Sequence, residues 1–300
     1  MTSLIKKIAL GTTMLASAIS FGAKAQNNMD DVTIEVQELR GGIYALFGRG
    51  GNIGASIGED GIFLIDDQFA PLTDKIKAAL AGISDQPVKF VINTHWHGDH
   101  TGGNENLGKE GSIIVAHDNV RVRMKASDMD RVAKGEMDMI RKDALPVITF
   151  NDELSFHLNG TEARSIHISN AHTDGDSIIH FAEYNIVHMG DTFFNGRFPF
   201  IDVNSGGSVD GALNAIDAVL TLSNDDTMII PGHGPIANKG DLQAYRDMIQ
   251  TVRDRVAEMK GNGMSLEQVN AAGPANDYAE KWSWNFISAE RFVGAIYSSL

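Results

Sequence analysis

From Thr94 to Gly103 the chain reads Thr-His-Trp-His-Gly-Asp-His-Thr-Gly-Gly, which puts three imidazoles and a carboxylate within residues 95–100. The run lies directly behind 88–93, a largely apolar stretch that reads as a buried strand. A cluster of this kind constrains the whole fold. It must stand in a loop at the end of a rigid strand, and the rest of the chain must bring it partners. Imidazole nitrogen and carboxylate oxygen suit Zn²⁺, which takes such ligands at about 2.0–2.2 Å. In an extended turn His95 and His97 project to one side, while Asp99 and His100 can face a second ion, with Gly98 allowing the bend between the pairs.

Three further ligands stand beside glycines at the edges of apolar runs: His172 before 177–181, Asp191 after 186–190, and His233 after 228–230. Side chains at separate strand ends can converge, and seven candidate ligands suit two ions better than one. The absence of cysteine sharpens this reading. It excludes a disulfide framework, a thiolate nucleophile, thiolate-held metal and a lipid anchor attached at cysteine. Any metal must therefore be held by His, Asp or Glu.

The remaining pattern is α/β. Short β-rich runs separated by glycine turns (33–39, 43–47, 53–57 and 62–65) suggest an antiparallel meander. Pro71 opens a helix with Leu72, Ile76, Ala79, Leu80 and Ile83 at 3–4 spacing. A strand at 113–116 leads into a polar, Met-rich helical stretch over about 119–142, whose charged part at 128–143 reads as a solvated helix. The second half repeats the alternation, with strands at 154–158, 163–168, 177–181, 186–189 and 228–230. Ser208 is placed to cap a helix. Leu242 to Met259 mark a long amphipathic helix, and Phe292 to Tyr297 a terminal one. No linker or short repeat divides the chain, so one four-layer αβ/βα sandwich over 26–300 is expected.

Residues 1–25 read as a secretory signal peptide. Lys6 and Lys7 precede an apolar run at 8–21, and Ala23-Lys24-Ala25 supplies a small-x-small cleavage pattern. The run falls short of the roughly 20 apolar residues of a membrane-spanning helix, so no stable membrane anchor is expected. Cleavage before Gln26 would give a periplasmic or secreted protein. It would also remove three lysines, taking the formal net charge from −14 to −17. Such acidity disfavours a nucleic-acid partner, because phosphate binding needs a basic surface.

Taken together, these motifs resemble the metallo-β-lactamase superfamily over roughly residues 62–234. The resemblance implies the αβ/βα fold. It also implies His95, His97 and His172 on one zinc, Asp99, His100 and His233 on the other, Asp191 bridging both, and Asp66 orienting a ligand. Departures are informative. The best-known β-lactamases place cysteine on the second metal, whereas retention of Asp191 is similar to glyoxalase II and lactonases. Imidazole at His97, where related di-iron proteins carry Glu, favours zinc.

The implied function is an exported two-zinc hydrolase that opens a cyclic amide or ester in a small molecule with a hydrolysable carbonyl. Asp99 would orient the nucleophile, and β-lactam cleavage is the leading named activity. A lactonase, a glyoxalase-II-like thioesterase and a non-catalytic metal-binding protein are the alternatives. His117, His157, His167, His180 and His188 have no motif partners and read as surface or strand histidines. Trp96 is expected to pack beside the site, and Arg197 to be a surface arginine. Asn52 and Phe69 fall in loops that can flank the pocket.

Overall fold

A computed structural model describes residues 29–300, so the segment 1–25 lies outside the described residues. Two sheets form the centre. The first has seven strands in chain order: β1 (Glu35–Glu38), β2 (Ile43–Phe47), β3 (Ile53–Gly58), β4 (Gly61–Ile65), β5 (Val88–Asn93), β6 (Ile113–His117) and β7 (Ile148–Phe150). The second is ordered β12-β11-β10-β9-β8, from β8 (Glu153–Leu158), β9 (Thr161–Ile168), β10 (Asp176–Phe181), β11 (Ile186–Phe194) and β12 (Met228–His233). The helices are α1 (Thr73–Ala81), α2 (Gly98–Thr101), α3 (Asn104–Lys109), α4 (Asp118–Ala133), α5 (Val209–Leu222), α6 (Lys239–Gly261), α7 (Leu266–Ala272), α8 (Asn276–Trp282) and α9 (Ala289–Ser299). Among the described residues no helix is long and apolar enough to cross a membrane.

Three apolar seams hold four layers together. Between the sheets, Phe63, Ile65, Ile92 and Val115 meet Ile179, Phe181, Ile186 and Ile230. On the outer face of the first sheet, Leu64, Val91 and Ile114 pack with Ile76 and Leu80 of α1 and Leu107 of α3. On the outer face of the second, Ile178, Val187, Met189 and Ile229 pack with α5, α6 and α9 through Ile216, Ile249 and Phe292. This is the αβ/βα sandwich expected from the sequence. Because helices cover both outer faces, the central strands are apolar on both sides where they are buried, which is why 88–93 reads as a largely apolar run ending in buried Val91, Ile92 and Asn93.

Topology decides where the site lies. β1 to β4 form an antiparallel meander, but β4, β5, β6 and β7 are parallel, as are β11 and β12. Parallel neighbours require crossover segments, supplied here by α1, by α2 with α3, by α4 and by α5. Their carboxyl ends therefore fall along one edge, the usual place for a site in such sheets.

Several boundaries differ from the sequence reading. β1 is shorter than 33–39, and each of its four residues is exposed. β11 runs nine buried residues to Phe194, so Asp191 lies inside a strand rather than after one. The helix expected over 119–142 stops at Ala133, followed at Gly135 by a left-handed φ of 71° that ends the helical path. The following loop is closed by buried Asp128, which accepts from the backbone and guanidinium of Arg141, so 128–143 is not simply a solvated helix. β7, α7 and α8 were not expected. Each is at most seven residues long, too short for its periodicity to stand out.

Ser208 caps α5 as expected, accepting from Gly211 N–H at 3.0 Å while donating to the Asn170 carbonyl at 2.8 Å. Ser208→Ala is expected to cost about 1–2 kcal/mol in urea unfolding, with an unchanged denaturant slope.

Candidate metal centre

β4 ends at Ile65, and the next residue, Asp66, is fully buried with φ at 63°. Its carboxylate takes three hydrogen bonds: Thr94 N–H on Oδ1, and Thr94 Oγ1–H and His100 Nδ1–H on Oδ2, all at 2.7–2.8 Å. Thr94 Oγ1 in turn faces His95 Nδ1 at 3.0 Å. Its own proton being committed to Asp66, it accepts from that nitrogen. The inner nitrogens, Nε2 of both His95 and His100, are left for a ligand. Asp66 thus orients the His100 ring directly and the His95 ring through Thr94.

The other rings are set the same way. His97 Nε2 donates to Asp202 Oδ2 at 3.0 Å, and His172 Nδ1 donates to the Phe200 carbonyl at 2.6 Å. Their free nitrogens converge, with His97 Nδ1 3.1 Å from His95 Nε2 and 2.9 Å from His172 Nε2. With each proton held on the outer nitrogen, three lone pairs face one another. Ligands on one tetrahedral zinc at about 2.0–2.1 Å would stand roughly 3.3 Å apart, so a cation fits this spacing.

His95, His97, His172 and Asp191 form one set able to hold a metal ion, and Asp99, His100 and His233 form a second. Asp191 reaches both. Its Oδ2 lies 3.8 Å from His95 Nε2 and 3.6 Å from His172 Nε2, while Oδ1 lies 3.1 Å from His100 Nε2 and 3.4 Å from His233 Nε2. Buried His100 Nε2 and Asp191 Oδ1 make no aligned hydrogen bond. Orphaned polar atoms at this depth are costly, and a cation satisfies both. All seven expected residues are therefore brought together.

Local geometry corrects one detail. Asp99 and His100 sit on the single helical turn α2 rather than in an extended turn. A Cβ at Gly98 would meet nothing within 4 Å. Among the glycines packed tightest against the ligands are two that the sequence reading did not single out. A Cβ on Gly51 would lie 2.0 Å from the His100 ring, and one on Gly232 would lie 2.1 Å from Asp191 Oδ1. Gly232 stands directly before His233, a readable sign of close backbone approach. Asp202 carries no comparable signal, being 105 positions from His97.

The flanking residues also differ in role. Asn52 is buried and ties down the loop carrying His233, donating to the Pro231 and Gly234 carbonyls. His188 is a strand histidine, fully buried, donating to the Asn52 carbonyl and accepting from Gly190 N–H. Burial pushes it down to about 4. His117 and His167 stack on each other at 3.7 Å, outside both ligand sets. Trp96 packs beside the site, its ring 5.0 Å from that of His97. Asp99 and His233 open onto a groove of about 1300 Å³, also lined by Phe69, Arg197, Trp284 and Phe286.

Electrostatics separate the two sets. Burial pushes His95 well below its ordinary value and His172 down to about 4. Burial also acts against protonation of His100 and His233, but nearby carboxylates, Asp191 foremost, outweigh it. His100 is raised well above the usual range and His233 to about 9.

A sequence profile described as the metallo-β-lactamase superfamily matches residues 51–233, more than half of the chain. The chain belongs to that superfamily. It is 26% identical over 174 residues to a hydroxyacylglutathione hydrolase of a Polaromonas species, covering 56% of this chain and 57% of the relative. It is 25% identical over 144 residues to the 2,4-dinitroanisole O-demethylase subunit alpha of a Nocardioides species, covering 46% and 40%. The chain thus spans about half the length of these curated relatives. In fold it resembles the sec-alkylsulfatase Pisa1 from a Pseudomonas species, with a TM-score of 0.69 at 16% identity, over 88% of this chain and 50% of that one. A metallo-β-lactamase from Pontibacter korlensis gives 0.58 at 17% identity, over 73% and 99%.

Two outcomes follow. A metal ion displaces the ring protons, so zinc affinity at the Asp99, His100 and His233 set should climb with pH until about 9, roughly tenfold per unit for each proton displaced. Burial already disfavours protonation of His95 and His172, so the set they belong to should vary less with pH. Chelator competition at pH 6, 7.5 and 9 reads this as one weakly and one strongly pH-dependent equivalent, and two equivalents with the same pH dependence would sink the assignment. Asp66→Asn should weaken zinc binding about 10–100-fold while leaving the circular dichroism spectrum unchanged.

Proposed function

We propose that this chain is a two-zinc hydrolase acting on a small molecule with an activated carbonyl, and that residues 1–25 direct its export. The observation that carries the reading is Asp191, whose two oxygens are divided between the two ligand sets. Two zincs bound there would supply an ionised water near neutral pH and polarise a carbonyl oxygen.

The chain's own residues do the rest. Asp99 is held ionised because His100 and His233 outweigh the effect of its burial, and it faces the groove. Its Oδ atoms can accept a hydrogen bond from an attacking water and so orient it. Asp66, Asp202 and the Phe200 carbonyl hold His100, His97 and His172 in one tautomer, so no reorganisation is needed when substrate arrives.

The named activity we put first is opening of a β-lactam. Cleavage of a lactone or of a glutathione-type thioester is the second reading, favoured by the bridging position of Asp191 and by similarity to a hydroxyacylglutathione hydrolase. Zinc-loaded protein should turn over at least one of nitrocefin, an acyl-homoserine lactone and S-lactoylglutathione. Lactone or thioester cleavage without nitrocefin turnover would replace the first reading with the second. Asp99→Asn should lower kcat/KM about 10²–10⁴-fold. Zinc binding with no turnover of any of the three by the unmodified protein would leave only a metal-binding protein.

A further inference from the structure

The first ligand set is assembled from both sheets. His95 and His97 follow β5 of the first sheet, whereas His172 lies in the loop that enters β10 of the second. The 2.9 Å between His97 Nδ1 and His172 Nε2 therefore depends on how the two sheets are held together beside the site. On the second-sheet side two loops form one unit. Asp202 N–H donates to the His172 carbonyl and Asp174 N–H to the Ser205 carbonyl, each at 2.9 Å. A Cβ on Gly207 would lie 2.2 Å from the His172 carbonyl oxygen, so the backbones of these loops touch. The same unit supplies the Phe200 carbonyl and Asp202, which hold the outer protons of His172 and His97.

Arg123 reaches this unit from the other sheet, because its helix, α4, directly follows β6. Its Nε and Nη2 donate to the two oxygens of Asp174 at 2.6 and 2.7 Å, with both side chains only 27% exposed. Two parallel bonds of this kind fix direction as well as distance. One turn earlier on α4, Asn119 Nδ2 donates to the Asp174 carbonyl at 2.8 Å. Asp202 adds to the attraction on the Arg123 guanidinium. Among the described residues, every other ion pair of a lysine or arginine joins residues on the same side of β7, either both before it or both after it. Arg123 and Asp174 make the pair that spans the two sheets, and they do so two residues from a ligand.

We infer that Arg123 is a positioning residue for the first ligand set: by clamping Asp174 across the two sheets it sets where His172 stands relative to His95 and His97. It touches no ligand itself and acts through Asp174 and the paired loops. Without the clamp the His172 loop and the Asp202 loop stay bonded to each other but lose their tie to the strand end that carries His95 and His97. The three inner nitrogens would then no longer be held at the spacing one ion requires. The inference rests on the two-zinc reading for the presence of a metal, but it concerns metal binding and does not require turnover.

The test measures zinc affinity by chelator competition, and visible absorption after loading with cobalt(II), in the full-length protein and its Arg123→Gln, Arg123→Lys and Arg141→Gln variants. Cobalt(II) absorption reports the geometry of the ligands, which a merely stabilising ion pair leaves alone. Arg123→Gln should weaken the less pH-dependent zinc equivalent about 10-fold and change the cobalt spectrum, with the other equivalent unaltered. Arg123→Lys keeps the charge without the planar fork and should recover part of the affinity. Should the Gln variant not fold, an intermediate affinity in Arg123→Lys supports the assignment and an unmodified one overturns it. Arg141→Gln breaks the pair that α4 makes through buried Asp128, and should lower the thermal midpoint without changing either zinc equivalent. Unchanged affinity and spectrum in Arg123→Gln, or an equal loss in Arg141→Gln, would overturn the assignment. Arg123-dependent zinc binding in a protein that hydrolyses none of the three carbonyl substrates would instead retain it and remove the hydrolase reading.

Discussion

The carboxylate of Asp66 is the interaction on which the rest of the site depends. It is buried without exposed surface and accepts two hydrogen bonds from Thr94, directly after β5, and one from His100 on α2. A buried carboxylate is tolerable only when its oxygens are satisfied. Satisfying these also fixes where the protons of His100 and, through Thr94, His95 reside. One residue from each ligand set is thereby aimed by the same group, before Asp191 joins the sets from the opposite sheet. Asp66 adopts a left-handed backbone, uncommon for any residue other than glycine, which the surrounding parallel strands hold in place.

That arrangement is a product of topology as much as of chemistry. The ligands come from the carboxyl ends of β5 and β12, from within β11, and from the loop that enters β10. β10 runs antiparallel to β11, so the start of one and the end of the other share an edge. The helices that make parallel pairing possible also seal the outer faces of both sheets, leaving the shared edge as the place where polar side chains can gather. A groove opens there because the C-terminal helical segment adds aromatic side chains on one side, while Phe47 and Phe69 line it from the first sheet.

Much of this was legible in the chain itself. The His95–His100 cluster is dense, its residue types are few, and it stands directly behind an apolar strand, so both its chemistry and its place at a strand end could be read. The strands at 43–47 and 88–93 were read with their observed limits, because each is a mostly apolar run whose buried residues leave little room for polar ones. Short elements such as β7 and α8 left no such trace. Nor did Asp202, whose role rests on a contact across 105 positions. Arg197 read as an ordinary surface charge because its stacking partner is 87 residues away, in a loop that carries no periodic pattern.

The sequence alone determined the donor chemistry: with no cysteine in the chain, imidazole and carboxylate had to supply every ligand, and seven of them stood at the ends of apolar runs. It also determined the layered fold, because strand and helix periodicities alternate in a pattern that only covered, partly parallel sheets can bury. Tertiary structure alone decided which ring nitrogen each histidine presents, that the two oxygens of Asp191 are divided between the sets, and that Arg197 lies on Trp284. Those outcomes depend on distances between segments far apart in the chain, set by how the two sheets pack. Local residue preference carries no information about such distances.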